Sequence, residues 1–467
     1  MTRSVARLAV VLALVPLVTI GAQTPRPGAP ATPISPSRTD FTMALTGDSI
    51  VTRHVNVYSE PTWLKLLSLL RDADVAFTNL EMLFHDYEPY PMPQSVPGTY
   101  VRAEPAIAKE LAWMGFDMVA RANNHAADFG VLGMQLTTKY VGEAGLMQAG
   151  AGNSLAEARE AKFLDTPRGR VALVSACTLF DDYGRAGDTR GDIPARPGVN
   201  ALRFNTTYVV TRERLDGLRA TLAELGLAPP ASAQSDQLRV FGNRFVAGDA
   251  PQVRTEPLKE DLEAIAAVVR NASRLADYTL VTFHGHEQGR TRFEPPAFWM
   301  TFAHVMVDAG ADVVVGHGPH VLRGIEIYKG KPILYSVGNL FFQNETELRL
   351  PSDAYETFKL GPTSHVADFN DQRYDFDRRG FPAQREIWES VVAIPRWQGR
   401  QLMELTLYPI TLGFGRPRME RGRPMLAPAD LGKKIVDDVI RLSAPYHTEI
   451  AWDGAVGRVK LAAGATK

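Results

Sequence analysis

Five of the chain's 10 histidines, His125, His284, His286, His317 and His320, fall in three short runs. These runs are RANNHAADFG, FHGHE and VVVGHGPH, and each begins where an apolar stretch ends. Two further runs bring carboxylates: TGDSI carries Asp48, and FTNLE carries Asn79 and Glu81. Imidazole nitrogen suits borderline metals such as Zn, Fe or Mn, and carboxylate oxygen suits harder ones. Asn79 is a candidate ligand through its amide oxygen, and Glu81 is either a ligand or the group that orients one. Asn123, Asn124, His125 and Asp128 bring two amides, an imidazole and a carboxylate into six residues. Buried unpaired, that set is costly; a metal and the hydrogen bonds around it would satisfy it. Gly285, Gly316 and Gly318 let the backbone turn sharply beside the histidines.

The chemistry open to such a set is metal-assisted hydrolysis. Plainer roles exist for each run. Asp48 also reads as a turn or helix cap, Asn79 and Glu81 as a polar strand end, and the 123–128 cluster as a helix N-cap. Arg121, Arg196 and Arg323 lie near the motifs and could pair with an anionic substrate, or could be surface arginines. The chain has no H-E-x-x-H, no G-x-S-x-G elbow and no phosphate-binding G-x-x-x-x-G-K-[ST] loop.

The elements that must hold these residues alternate. Apolar runs predict strands over 41–47, 74–80, 116–123, 170–177, 277–283 and 311–316. Helical patterns lie between them over 61–71, 104–114, 129–144, 259–275 and 298–309. Short strands over 324–328 and 332–338, a hairpin turning at Gly399 and a helix over 428–443 complete the pattern. That alternation predicts an α/β fold with a parallel or mixed sheet, in which sites form beyond the carboxyl ends of strands. The hairpin implies a second sheet or an antiparallel edge. Residues 181–203 and 344–385 read as long loops, each a cover for the site or a mobile insertion.

The whole chain sets limits. With 45% hydrophobic and 22% charged residues among 467, a sizeable core is available. A formal net charge of −1 argues against nucleic acid as a partner. The single cysteine, Cys177, allows neither a disulfide nor a Cys-based zinc site and reads as a buried small residue. Arg3 and Arg7 precede an apolar stretch that ends at Gly21-Ala22, the pattern of a signal peptide over 1–22. The alternative is an uncleaved membrane anchor. Residues 23–38, rich in proline, read as a linker, and 39–467 as the folded domain.

In this order, the motifs resemble those of the CapA/PgsA capsule-synthesis family, associated with poly-γ-glutamate. The matching residues are Gly47-Asp48, Asn79-Leu80-Glu81, Ala122 to Ala126 with Asp128 and Gly130, and His284 with Glu287. Arg196 to Asn200 match a further segment, and the longest block runs from Ala309 through Gly316-His317-Gly318-Pro319-His320 to Gly338-Asn339. The resemblance covers roughly 41–345, with the strands and helix of 388–467 read as part of the same unit. That family is similar to calcineurin-like metallophosphoesterases, which implies a β-sandwich flanked by helices in four layers (αββα). It implies one or two divalent ions, Mn, Fe or Zn, held by Asp48, Asn79, Glu81, Asn124, His284, His286, His317 and His320. By the same likeness His125 protonates a leaving group, with Asp128 or Glu81 orienting it. Ile50 stands where metallophosphoesterases carry a histidine, and Asn79 or Glu81 where they carry a bridging aspartate. The expected function is metal-dependent hydrolysis of a phosphoester or amide in an anionic polymer or envelope precursor, by an exported, periplasmic or extracellular protein. The alternative is a non-catalytic, polymer-binding component of a membrane capsule-synthesis assembly.

Overall fold

The first strand, Asp40–Ile50, is buried from Phe41 onward, because it lies in the middle of a sheet covered on both faces. It pairs in parallel with Val75–Leu80, which pairs with Met118–Ala120 and then Met147–Ala149. Helices Pro61–Asp72, Ala106–Met114 and Gly130–Glu143 make the crossovers. The first opens on proline, whose fixed φ suits the first helical turn, and buries Trp63, Leu66, Leu67 and Leu70 on one stripe. The chain is described here from a computed structural model, over residues 40–94, 98–227 and 235–461. The expected leader and linker, 1–22 and 23–38, lie outside the described residues.

Side-chain alternation along the strands separates two apolar layers. Ala44, Ala76, Leu80 and Val119 share one core with Trp63, Leu66, Ile107, Leu111 and Val141 of the helices. Phe41, Met43, Leu45, Val75, Phe77 and Met118 face the other way, into a core shared with Leu173, Leu280, Val313 and Val315. These last four belong to a second sheet of six strands. Its order is Ile325–Tyr328, Lys331–Leu334, Val313–His317, Tyr278–His284, Gly169–Cys177, Lys162–Thr166. The far face of that sheet packs through Val174, Val281, Phe283 and Val314 on Ile265, Val269, Phe298, Phe302 and Met306. Those five residues lie on helices Lys259–Ala272 and Ala297–Asp308. The architecture is mixed α/β, as the alternation implied. Cys177 is buried and free.

The hairpin Glu389–Gln398 and Gln401–Thr411 extends the first sheet by pairing antiparallel to Asp40–Ile50, the antiparallel edge that is one of the two arrangements expected of it. Two features depart from the sequence reading or escape it. Residues 344–385 are not one loop, since they hold helices Ser352–Thr357 and Val366–Tyr374. In chain order between strand Gly169–Cys177 and helix Lys259–Ala272 comes an accessory four-stranded sheet, ordered Gln237–Val240, Asn243–Ala247, Phe204–Val210, Gln252–Pro257. Helix Arg212–Glu224 covers one face of it through Leu215 and Leu222. Among the described residues, no helix is long and apolar enough to cross a membrane.

Candidate metal centre

The strands of both sheets end at one place. In the first sheet Asp48 is paired with Asn79 on one side and Asn339 on the other, and the ladder is irregular at Asp48 on both sides. Such irregularities recur beside functional sites, where they re-aim a side chain. In the second sheet His284 and His317 lie opposite each other, each the last residue of its strand. Two glycines let these ends meet. A Cβ on Gly47 would lie 1.9 Å from the Gly338 carbonyl oxygen. Gly318, at φ +105°, has no room for one against Gly285. Its N–H donates to Asp48 Oδ2 at 2.9 Å.

Around Asp48, Asn79 Nδ2 donates to Oδ1 at 2.8 Å, and the Nδ1 atoms of His317 and His284 stand 3.5 and 3.7 Å from that oxygen. Around Glu81 the convergence is denser. Its Oε1 faces the Nε2 atoms of His284 at 3.6 Å, His286 and His320 at 3.8 Å, and His125 at 4.0 Å. These separations are too long for hydrogen bonds. Glu81 is fully buried, and neither of its oxygens has a hydrogen-bond partner; neither does either ring nitrogen of His317. A buried carboxylate and a buried imidazole left unpaired are each costly. A cation among them removes both costs, so the donor set fits a divalent metal. Glu81, His284 and His286 form one group able to hold an ion, and Asp48, Glu81 and His320 another.

The protonation states of Asp48 and of three of the histidines agree with that fit. Burial pushes His317 and His320 down to about 4, and His286 well below its ordinary value, so all three are neutral near pH 7. Burial would raise the Asp48 pKa, but its contacts with His284, His317 and His320 outweigh this and hold it well below the usual carboxylate range. Burial, with the charges of Asp48 and Asp128, raises the pKa of Glu81 well above normal when no cation is present. An ionised carboxylate among neutral imidazoles is the form that metal ligation needs.

Other side chains aim the ligands. Asn339 Oδ1 lies 2.8 Å from His320 Nδ1, which leaves Nε2 to face Glu81. Asn124, itself a candidate ligand, has its Oδ1 2.8 Å from His284 Nε2. Asn79 Nδ2 donates to Asp48 and stands 3.1 Å from His284 Nδ1, and its Oδ1 accepts from Asn123 at 3.4 Å. His125 Nδ1 lies 2.7 Å from Asp128 Oδ2, and Asp128 is itself fixed by the N–H of Val101 and by Gln94.

A cavity of about 480 Å³ opens over this cluster, lined by Asn124, His125, His286 and His320 and walled by Phe180, Phe342 and Phe381. The three arginines named from sequence lie away from its lining. Arg121 is buried, bonded to Gln148 and the Met134 carbonyl. Arg323 is buried on the carbonyls of Arg292 and Glu287. Arg196 is exposed and bonded to the Arg185 carbonyl. Nearness in sequence to a motif says nothing of where a long side chain reaches. The guanidinium that does line the cavity is that of Arg373, on helix Val366–Tyr374, with Thr99 Oγ1 as its hydrogen-bond acceptor. Arg373 and Asn339 were both missed. Arg373 lies in a segment read as loop, whereas Asn339 ends a matched motif and could have been found there.

Residues 42–344 match the model of the family described as bacterial capsule synthesis protein PGA_cap. An uncharacterised protein, y4sH, of Sinorhizobium fredii is 39% identical over 90% of this chain and 93% of its own length. The PGA biosynthesis protein CapA of Bacillus subtilis is 27% identical over 63% of this chain and 62% of its own. The capsule biosynthesis protein CapA of Bacillus anthracis is 25% identical over 72% of this chain and 68% of its own. The chain belongs to the PGA_cap family.

Proposed function

We propose that this member of the capsule synthesis family is a metal-dependent hydrolase, acting on a phosphoester or amide in an anionic envelope polymer or its precursor. The names of the Bacillus relatives support the polymer, poly-γ-glutamate or one like it. The observation that carries the chemistry is Glu81. It is a buried carboxylate with no hydrogen-bond partner, faced by four imidazole nitrogens. Asp48, Glu81, Asn124, His284, His286, His317 and His320 would hold the ion or ions, Mn, Fe or Zn. A bound divalent ion supplies Lewis acidity, activating water and polarising the scissile group.

The chain's own residues do the rest. The Asp128 carboxylate fixes the His125 ring, whose Nε2 faces the cluster and can hand a proton to a leaving group there. Arg373 meets an anionic group of the substrate, while Phe180, Phe342 and Phe381 exclude water. Two sheets sharing one core with helices outside support the metallophosphoesterase-type αββα reading. Export to the periplasm or cell exterior, with membrane-bound synthesis partners, completes the proposal.

One observation favours the non-catalytic alternative, a polymer-binding component. Ile50 is 2% exposed and lines the cavity where the metallophosphoesterase pattern has a histidine. The two readings separate on turnover. Metal-loaded protein is assayed against phosphodiester and γ-glutamyl amide probes, beside His317→Ala and Asp128→Asn. Hydrolysis that falls in both variants supports the enzyme; polymer binding with no hydrolysis by the unaltered protein refutes it.

A further inference from the structure

The accessory sheet carries an arrangement that folding alone disfavours. Its registers set Arg239 opposite Arg244, Arg244 beside Thr207, and Thr207 opposite Arg254. Residues paired across strands point to the same face, so three arginines and one threonine form a single row across all four strands. Neighbouring strands lie ~4.8 Å apart, which puts the backbones of Arg239 and Arg244 at about that distance and Arg254 about twice as far beyond. Like charges directly opposite each other in a sheet are destabilising.

No ion pair among the described residues neutralises the row. All three arginines are exposed, and none has an ion-pair partner among the described residues. Arg244 Nη2 donates to the Gln237 side chain at 3.3 Å, a neutral contact. Elsewhere on this unit the pattern is the ordinary one: Arg212 pairs with Asp236 and Arg219 with Asp216. The opposite face is closed by helix Arg212–Glu224, packed on Leu238 with Val240 and Phe245 against it. On the arginine face the acidic residue is Glu256, opposite Asn205 and two residues beyond Arg254. At ~3.3 Å per residue, its backbone lies about 7 Å along the strand from that of Arg254.

We propose that this row is a docking surface for an extended polyanion bearing regularly spaced carboxylates, gripped outside the metal centre. A row of arginines offers guanidinium groups with paired donors, which a chain of carboxylates can match. Thr207, between two arginines, leaves room for the polymer backbone and offers a hydroxyl. The choice of a carboxylate polymer rests on the proposed envelope-polymer function; the charge geometry of the row does not.

The test uses the whole chain and long-chain poly-γ-glutamate as the probe, with phosphatidylglycerol vesicles alongside. Binding of the polymer is expected to weaken with salt and to fall by about tenfold or more in the R239Q/R244Q/R254Q variant. The R239K/R244K/R254K variant, which keeps the charge but not the fork, is expected to lie between the two. Polymer binding that is equal in unaltered protein and the glutamine variant overturns the proposal. So does binding of vesicles through the row with no binding of polymer. Metal content is measured on the same samples. Polymer bound through the arginines by a protein that takes up no metal upholds this inference and refutes the hydrolase reading. Metal held by a protein whose arginines bind nothing refutes this inference alone.

Discussion

Replacing Asp48 with asparagine removes one charge and one acceptor while leaving the shape almost unchanged. The carboxylate accepts from Asn79 Nδ2 at 2.8 Å and from the Gly318 N–H at 2.9 Å. An asparagine has one oxygen, so its NH2 must face one of those two donors. Rotating the Asn79 amide does not rescue it. Asn79 Nδ2 also stands 3.1 Å from His284 Nδ1, and its oxygen accepts from Asn123 at 3.4 Å. One buried donor is left unpaired, at a cost of about 1–3 kcal/mol to the metal-free protein. For domains of 150–250 residues this is roughly 2–4 °C per kcal/mol in the unfolding midpoint, and less for a longer chain. The larger effect is on the loaded protein. A ligand at a hundredfold excess over its dissociation constant adds about 2.7 kcal/mol, and Asp48→Asn takes away the anion on which that increment depends. Thermal unfolding of chelated and Mn-loaded samples measures both quantities. Asp261→Asn is the control: that carboxylate is buried against Arg203, at 2.7 and 3.0 Å, outside the cluster. It should lower the midpoint yet keep the metal-dependent rise. A full metal-dependent rise in Asp48→Asn would refute the assignment of Asp48.

Two other predictions concern groups outside the ligand set. Burial raises the pKa of Glu347 well above the usual range, and its Oε2 has no hydrogen-bond partner. Its folded pKa lies above its unfolded value of about 4.3, so its contribution to stability is complete below that pH and is lost as pH rises through the folded pKa. Glu347→Gln should therefore gain stability relative to the unaltered protein as pH rises, as read from midpoints across a pH series; parallel curves would contradict this. Arg373→Gln should raise KM for an anionic substrate by about ten- to a hundredfold, the worth of a charged hydrogen bond, with kcat little changed. A loss in kcat alone would show that Arg373 does not hold the ground-state substrate.

The parts of the molecule legible in the sequence are those whose apolar pattern is dictated by burial on both sides. Tyr278–His284 and Val313–His317 are buried throughout, so their runs and terminal histidines stood out. Which residues would meet was harder to read. Asp48 and His317 are brought together by two sheets packing on each other, a contact that no local pattern encodes. Glu81 offered two roles in sequence, ligand or orienter, and only the three-dimensional arrangement centres four imidazoles on it. The accessory sheet was invisible because its strands are short and largely exposed, as in Gln252–Pro257, so no alternation marks them. Helix Val366–Tyr374 carries no helical signal in sequence because five of its nine residues are polar or charged and it buries only Phe369, Asn370 and Tyr374. Arg373 was hidden with it.

The most direct test of the metal centre is elemental analysis of the purified protein, as isolated and after loading with Mn, Fe or Zn, beside Glu81→Ala and His317→Ala/His320→Ala. About one or two ions per chain are expected in the unaltered protein, with a loss of metal in both variants. Equal metal in all three proteins, or none in the unaltered protein after loading, would contradict it.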